Sequence, residues 1–118
     1  MSKIMVVEED RLLRTAIAAY LTRQGHIVWE AIGSVRALEH LEQESVDAIL
    51  LDTHPTAYGV DLLKQIRNQP ALARTPVIAL VTTESEIEVL DYVEPGGYVR
   101  IPFDMQYLDW MLNRLLSG

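Results

Sequence analysis

The chain contains no cysteine, which excludes a disulfide framework and any thiolate-held metal. No apolar stretch approaches the length that spans a bilayer, because the longest runs have strand length and end in acids. There is no basic stripe either: ten Lys and Arg are scattered among seventeen Asp and Glu, for a formal net charge of −7. Direct binding of nucleic acid by this domain is therefore not expected. Met1-Ser2-Lys3 leads straight into an apolar run and leaves no room for a signal peptide, so a cytoplasmic setting with no membrane segment is the expectation. Repeats, low-complexity tracts and internal linkers are also missing.

What is present is apolar material for one core. With 118 residues, 49% hydrophobic content and a mean hydropathy of +0.09, the chain is expected to form a single domain over residues 1–118. Two apolar runs deliver carboxylates. Ile4-Met5-Val6-Val7 runs into Glu8-Glu9-Asp10, and Ala48-Ile49-Leu50-Leu51 runs into Asp52. Continuous apolar runs bounded by turn signals read as strands buried on both faces. Ligands of open parallel sheets bind beyond the carboxyl ends of such strands. Acids gathered there suit a hard cation, a phosphoryl group, or both.

Strand and helix patterns alternate along the rest of the chain. Asp10 is placed to cap a helix reaching about Gln24, with Leu13, Ala16, Ile17, Tyr20 and Leu21 as its apolar stripe and Gly25 as its stop. His26 to Ala31 reads as a second strand. Gly33-Ser34 opens a helix with Val35, Leu38 and Leu41 inward, and Val46 to Asp52 is the third strand. After the loop Thr53–Gly59 comes a helix with Val60, Leu63 and Ile66, then a fourth strand from Pro76 to Val81. Glu84 to Val93 reads as a short acidic helix, broken by Glu94-Pro95-Gly96-Gly97. Tyr98 to Ile101 is a fifth, more polar strand. Asp104 caps a last helix bearing Tyr107, Leu108, Met111, Leu112 and Leu115; Trp110 and Met111 fit its core or a partner face, the core reading being preferred. Strands alternating with helices imply βαβ units. The economical solution is an α/β fold: a flavodoxin-like doubly wound (βα)5 sandwich with a five-stranded parallel sheet.

This pattern resembles the receiver domain of two-component response regulators over essentially the whole chain. The resemblance rests on the acidic pair closing the first strand, Asp52 closing the third, the Pro55 and Gly59 of the next loop, and Pro102-Phe103 after the fifth strand. It implies that Asp52 is the phospho-acceptor for a histidine kinase or phosphotransfer protein. It further implies a Mg²⁺ site formed by Glu8, Glu9, Asp52 and the backbone carbonyl of His54. Phosphoryl transfer depends on positioning and on neutralising charge over the equatorial oxygens, which is why an aspartate nucleophile is accompanied by a carboxylate-held metal. Enzymatic activity is not expected beyond Mg²⁺-dependent self-phosphorylation of Asp52. An output domain or a homodimer through the face of the fourth helix, fifth strand and fifth helix is the partner expectation. Ending at Gly118, the chain reads as a stand-alone regulator or the receiver of a longer protein.

The other half of the pattern departs from the family. Receivers carry Lys before Pro-Phe, and here the residue is Ile101. A lysine at that point is worth about 4 kcal/mol of attraction at 4 Å with an effective dielectric near 20. Arg100 is adjacent but falls on the other face of a regular strand, unless Gly96-Gly97 forms a bulge. An ungapped match places Val81 where the switch hydroxyl belongs, and Thr82 serves only if the strand slips by one residue. Tyr98 matches the aromatic switch residue. The loop after Asp52 is one residue short, and Glu9 stands where Asp is usual.

Simpler readings exist for each residue. Glu8, Glu9 and Asp10 also suit a helix N-terminus, and Asp52 a turn. His26, His40 and His54 read as ordinary surface residues. The competing function is a pseudo-receiver, a phosphorylation-independent protein-interaction module, motivated by Val81, Ile101 and the short loop. Two enzyme classes on similar folds are set aside. A haloacid-dehalogenase-type phosphatase needs a second acid two residues after its nucleophile, and Asp52-Thr53-His54 lacks it. An FMN phosphate would be repelled by Glu8-Glu9-Asp10.

Overall fold

The computed structural model describes residues 2–53, 56–91 and 95–117, the side chains of residues 56–58 excepted. Its elements alternate as the sequence predicts: β1 (Lys3–Val7), α1 (Arg11–Arg23), β2 (Ile27–Ala31), α2 (Ser34–Gln43), β3 (Ala48–Asp52), α3 (Thr56–Asn68), β4 (Val77–Val81), α4 (Glu84–Leu90), β5 (Gly97–Arg100) and α5 (Met105–Ser117). A 3-10 turn at Pro70–Leu72 leads into β4. The strands form one parallel sheet in the order β2-β1-β3-β4-β5. That is the flavodoxin-like order, whose switch point lies between β1 and β3.

Alternation along each strand divides the core in two. Met5, Val7, Ile49, Leu51, Val77, Ala79 and Val81 pack under α2, α3 and α4. Ile4, Val6, Ala48, Leu50, Ile78 and Leu80 pack under α1 and α5, meeting Ile17, Leu21, Leu108 and Leu112. Central strands covered on both faces need apolar residues at every position, and β1, β3 and β4 supply them.

The helix signals act as the sequence suggests. Asp10 Oδ1 accepts the Leu13 N–H at 3.1 Å at the start of α1. Gly25 sits beyond its end at φ +95°, a conformation that favours glycine. Asp104 precedes α5 and accepts the Gln106 N–H at 2.7 Å.

Some expectations need correction, among them Ala16, read as part of the α1 stripe and exposed in the structure. Val35 is 68% exposed, because the inward face of α2 is formed by Ala37 and Leu41, with Leu38 beside them. Trp110 is 51% exposed rather than core. It stacks on Tyr107 at 5.8 Å between ring centres, with the Arg114 guanidinium 5.0 Å over its ring. The inward stripe of α5 is Leu108 and Leu112, with Met111 and Leu115 packing beside them, and Trp110 falls between those turns. The expected α4 stops at Leu90, and residues 92–94 lie outside the described set. Among the described residues no helix is long and apolar enough to cross a membrane.

Leu50 is fully buried in the central strand β3. Leu50→Ala should cost about 2–5 kcal/mol of unfolding free energy, the usual range for a leucine cavity. Urea denaturation with an unchanged m-value checks it.

Candidate functional site

The C-terminal ends of β1 and β3 place two carboxyl groups side by side. Val7 pairs with Leu51 in the ladder, so Glu8 and Asp52 leave adjacent strands at the same level. Glu8 is only 2% exposed, while Asp52 is half-buried. Glu8 Oε2 accepts the Asp10 N–H at 3.1 Å. Its Oε1 is buried and has no partner of good hydrogen-bond geometry, although the Asp52 carboxyl lies close enough to share a proton with it. Glu8 is pushed up to about 8, first by burial and then by the hydrogen bond and charge of Asp52. Two carboxyls forced together need a proton or a cation between them.

Glu9 is exposed and lines the rim of the same cavity, which has a volume of about 460 Å³. The expected set of acids thus resolves into a buried pair and a rim residue. Among the described residues no three His, Cys, Asp or Glu side chains converge to hold an ion. His54, the expected carbonyl ligand, lies outside the described residues. A buried pair with one orphaned oxygen still fits Mg²⁺, which keeps several waters and takes one or two carboxylates.

Neighbours that the sequence did not single out hold this pair in place. Thr53 is fully buried, and its hydroxyl donates to the Leu80 carbonyl at 2.9 Å, tying the exit of β3 to β4. Gly59 packs against it so closely that a Cβ there would lie 2.7 Å from Thr53 Cα. Only glycine allows that approach, which explains the Gly of the loop motif. Arg14 Nη1 donates to the Glu8 carbonyl at 2.9 Å and to the Glu9 carbonyl at 3.4 Å, while its Nε pairs with Glu30 at 3.3 Å. The signal for Thr53 was a hydroxyl next to a strand-end acid. For Arg14 the only signal was a cation one turn into the helix after the acidic loop.

The ends of β4 and β5 carry the other residues that the sequence singled out: Val81, Thr82, Tyr98, Arg100 and Ile101. Ile101 donates its N–H to the Val81 carbonyl at 2.7 Å and packs its side chain with the α1–α5 core. β5 keeps regular register, with Ile78 opposite Gly97 and Val81 opposite Arg100, so no bulge turns Arg100 round. Arg100 pairs with Glu84 of α4. Val81 is fully buried under the α2–α4 layer. Thr82 is exposed, its hydroxyl donating to Glu86 Oε1 at 2.8 Å and its N–H to Glu86 Oε2 at 2.7 Å. The Tyr98 hydroxyl donates to Asp91, and burial together with that carboxylate raises its pKa.

An open parallel α/β sheet with a carboxyl pair at its switch point is what the resemblance to a receiver domain implied, and comparison with known proteins agrees. The family model for the response regulator receiver domain matches residues 4–113. The chain belongs to that family. It is 33% identical over 98% of its length to the probable transcriptional regulator ycf29 of Pyropia yezoensis, covering 53% of that protein. It is 31% identical to a chemotaxis protein CheY homolog of Campylobacter jejuni, covering 98% of this chain and 92% of that one. Among solved structures, the receiver domain of the sensor histidine kinase PA1611 of Pseudomonas aeruginosa has a TM-score of 0.91 and 28% identity, covering 99% and 98% of the two chains. That structure holds a magnesium ion in its active-site cleft. The chain spans about half the length of the first curated relatives it matches. Domains of this family are phosphoacceptors that work with histidine kinases and output domains.

The Glu8 shift fixes the sign of a pH effect. A carboxyl whose folded pKa lies above its ordinary 4.5 binds its proton more tightly when folded. Its contribution to stability is complete below about pH 4.5 and is lost as pH rises through about 8. In Mg²⁺-free buffer Glu8→Gln should remove that decline and be the more stable protein at pH 8.5, by on the order of 2 kcal/mol. Paired urea melts of the two proteins at pH 5.5 and pH 8.5 measure the difference.

Proposed function

We propose that residues 1–118 form one cytoplasmic receiver domain. In this reading Asp52 accepts a phosphoryl group from a histidine kinase or phosphotransfer protein with the help of Mg²⁺. The buried Glu8–Asp52 pair is the observation that carries the reading: it is costly unless a cation or proton joins the two groups. Glu8, Glu9 and Asp52, with the His54 carbonyl, would hold the ion. An ion held by these residues would supply charge neutralisation on the phosphoryl oxygens.

This chain's own residues do the rest. An Asp52 carboxylate oxygen forms the bond to phosphorus as the bond from phosphorus to the donor's imidazole nitrogen breaks, and the imidazole leaves with the electron pair. Thr53 and Gly59 fix the exit of β3, so that the oxygen meets the donor in one orientation. The only catalysis in this reading is Asp52 modifying itself from a small phosphodonor.

The switch is atypical. Ile101 leaves the phosphoryl group without the fixed cation of its relatives, and Arg100 is engaged by Glu84. Thr82 is the candidate switch hydroxyl; to reach the phosphoryl group it must leave Glu86 and the end of β4, regular here, must shift its register. Tyr98 follows by leaving Asp91. The α4–β5–α5 face, with Tyr107, Trp110 and Arg114 outward, is where an output domain or a second copy reads the state.

Mass spectrometry after incubation with acetyl phosphate and Mg²⁺ tests the central step. One phosphoryl adduct is expected on the wild type and none on Asp52→Asn. A folded wild type that gains no adduct overturns the reading. Ile101→Lys restores the missing cation and should speed adduct formation by on the order of tenfold, followed in the same assay.

A further inference from the structure

The β2 side of the cavity holds none of the residues assigned above to phosphoryl chemistry. Ile32, Gly33, Ser34, Val35 and Arg36 line it, one strand away from Glu8 and two from Asp52. Ile32 is 56% and Val35 68% exposed, so both present apolar surface to the cavity. α2 starts there with Gly33 as its N-cap, and Gly33 has no side chain to satisfy the first-turn N–H groups. Those donors and the exposed Arg36 guanidinium form a pole that favours an anion. At the acidic end, Glu8 is buried beside the Asp52 carboxyl, and both residues line the cavity. The cavity volume of about 460 Å³ exceeds what a phosphoryl group and a hydrated ion fill, and lies in the range of small-molecule pockets.

We propose that this cavity binds a small amino carboxylate with an apolar chain. Its ammonium group meets the Glu8–Asp52 pair, its carboxylate meets the α2 N-terminus and Arg36, and its methylenes lie along Ile32 and Val35. Neighbouring strands stand about 4.8 Å apart, so the two poles are separated by roughly 5–10 Å. A chain of about five or six carbons between amine and carboxylate spans that distance. Each feature of the lining has a partner in such a ligand, whereas a bare cation leaves the α2 pole and the apolar wall unused. Because the ammonium group meets the same Glu8–Asp52 pair, this ligand and a phosphoryl group with its Mg²⁺ would exclude one another.

The test is a titration of the ¹⁵N-labelled full chain in Mg²⁺-free buffer with 6-aminohexanoate, hexylamine and hexanoate. The expected result is amide shifts confined to Glu8, Asp52 and residues 32–36, with 6-aminohexanoate binding about tenfold tighter than either one-ended analogue. Arg36→Ala, at an exposed position and verified as folded by an unchanged thermal midpoint, should reduce that affinity to the level of hexylamine. Glu8→Gln should reduce it to the level of hexanoate. Shifts that are absent or scattered, equal affinity for the three probes, or an unchanged affinity in folded Arg36→Ala would each overturn the proposal.

Discussion

The rest of the site depends on two carboxyl groups that the sheet forces together. Glu8 and Asp52 leave adjacent parallel strands at the same level, and the ladder between Val7 and Leu51 fixes their spacing. Burial removes the water that would screen them, so the pair holds a proton well into the range where carboxyls are ordinarily ionised. The surrounding hydrogen bonds follow from keeping this arrangement. Arg14 fixes the acidic loop through its carbonyls, and Thr53 ties the far strand to β4. Electrostatic cost at this point is what makes the cavity receptive to positive charge.

The ends of β4 and β5 answer to a different set of acids, those of α4 and its C-cap. Glu84, Glu86 and Asp91 engage Arg100, Thr82 and Tyr98 respectively. The groups that respond to phosphorylation in the proposed mechanism are thus held by carboxylates of the neighbouring helix. Rearranging them means exchanging one charge-assisted hydrogen bond for another, so the net gain is smaller than the strength of either bond. Without a lysine at position 101, less attraction is available to drive the exchange.

The fold was legible because periodicity determines it. Five apolar runs separated by helical stripes leave one topology, and the strands begin or end within two residues of their expected positions. Asp52 and Glu8 were legible because strand-end acids fall at the switch point of such a sheet. The separation of Glu8 from Glu9 was not, since burial of one and exposure of the other depends on how the chain turns after Val7. Thr53 and Arg14 escaped because their roles are bonds to backbone carbonyls, which leave no pattern in side-chain type. Trp110 was misplaced because an aromatic beside an apolar stripe reads as core, whereas the structure turns it outward onto Tyr107 and Arg114.

The strand order leaves β2 and β5 as the two margins of the sheet. Unpaired strand margins invite a further strand from another chain, and that is how sheets aggregate. Both margins here are short, at five and four residues, and each carries a charge. Glu30 on β2 is held by Arg14, and Arg100 on β5 is held by Glu84. An incoming strand would have to desolvate an ion pair at either margin. The same contacts that organise the acidic loop and restrain β5 therefore also protect the protein from edge-to-edge association at high concentration.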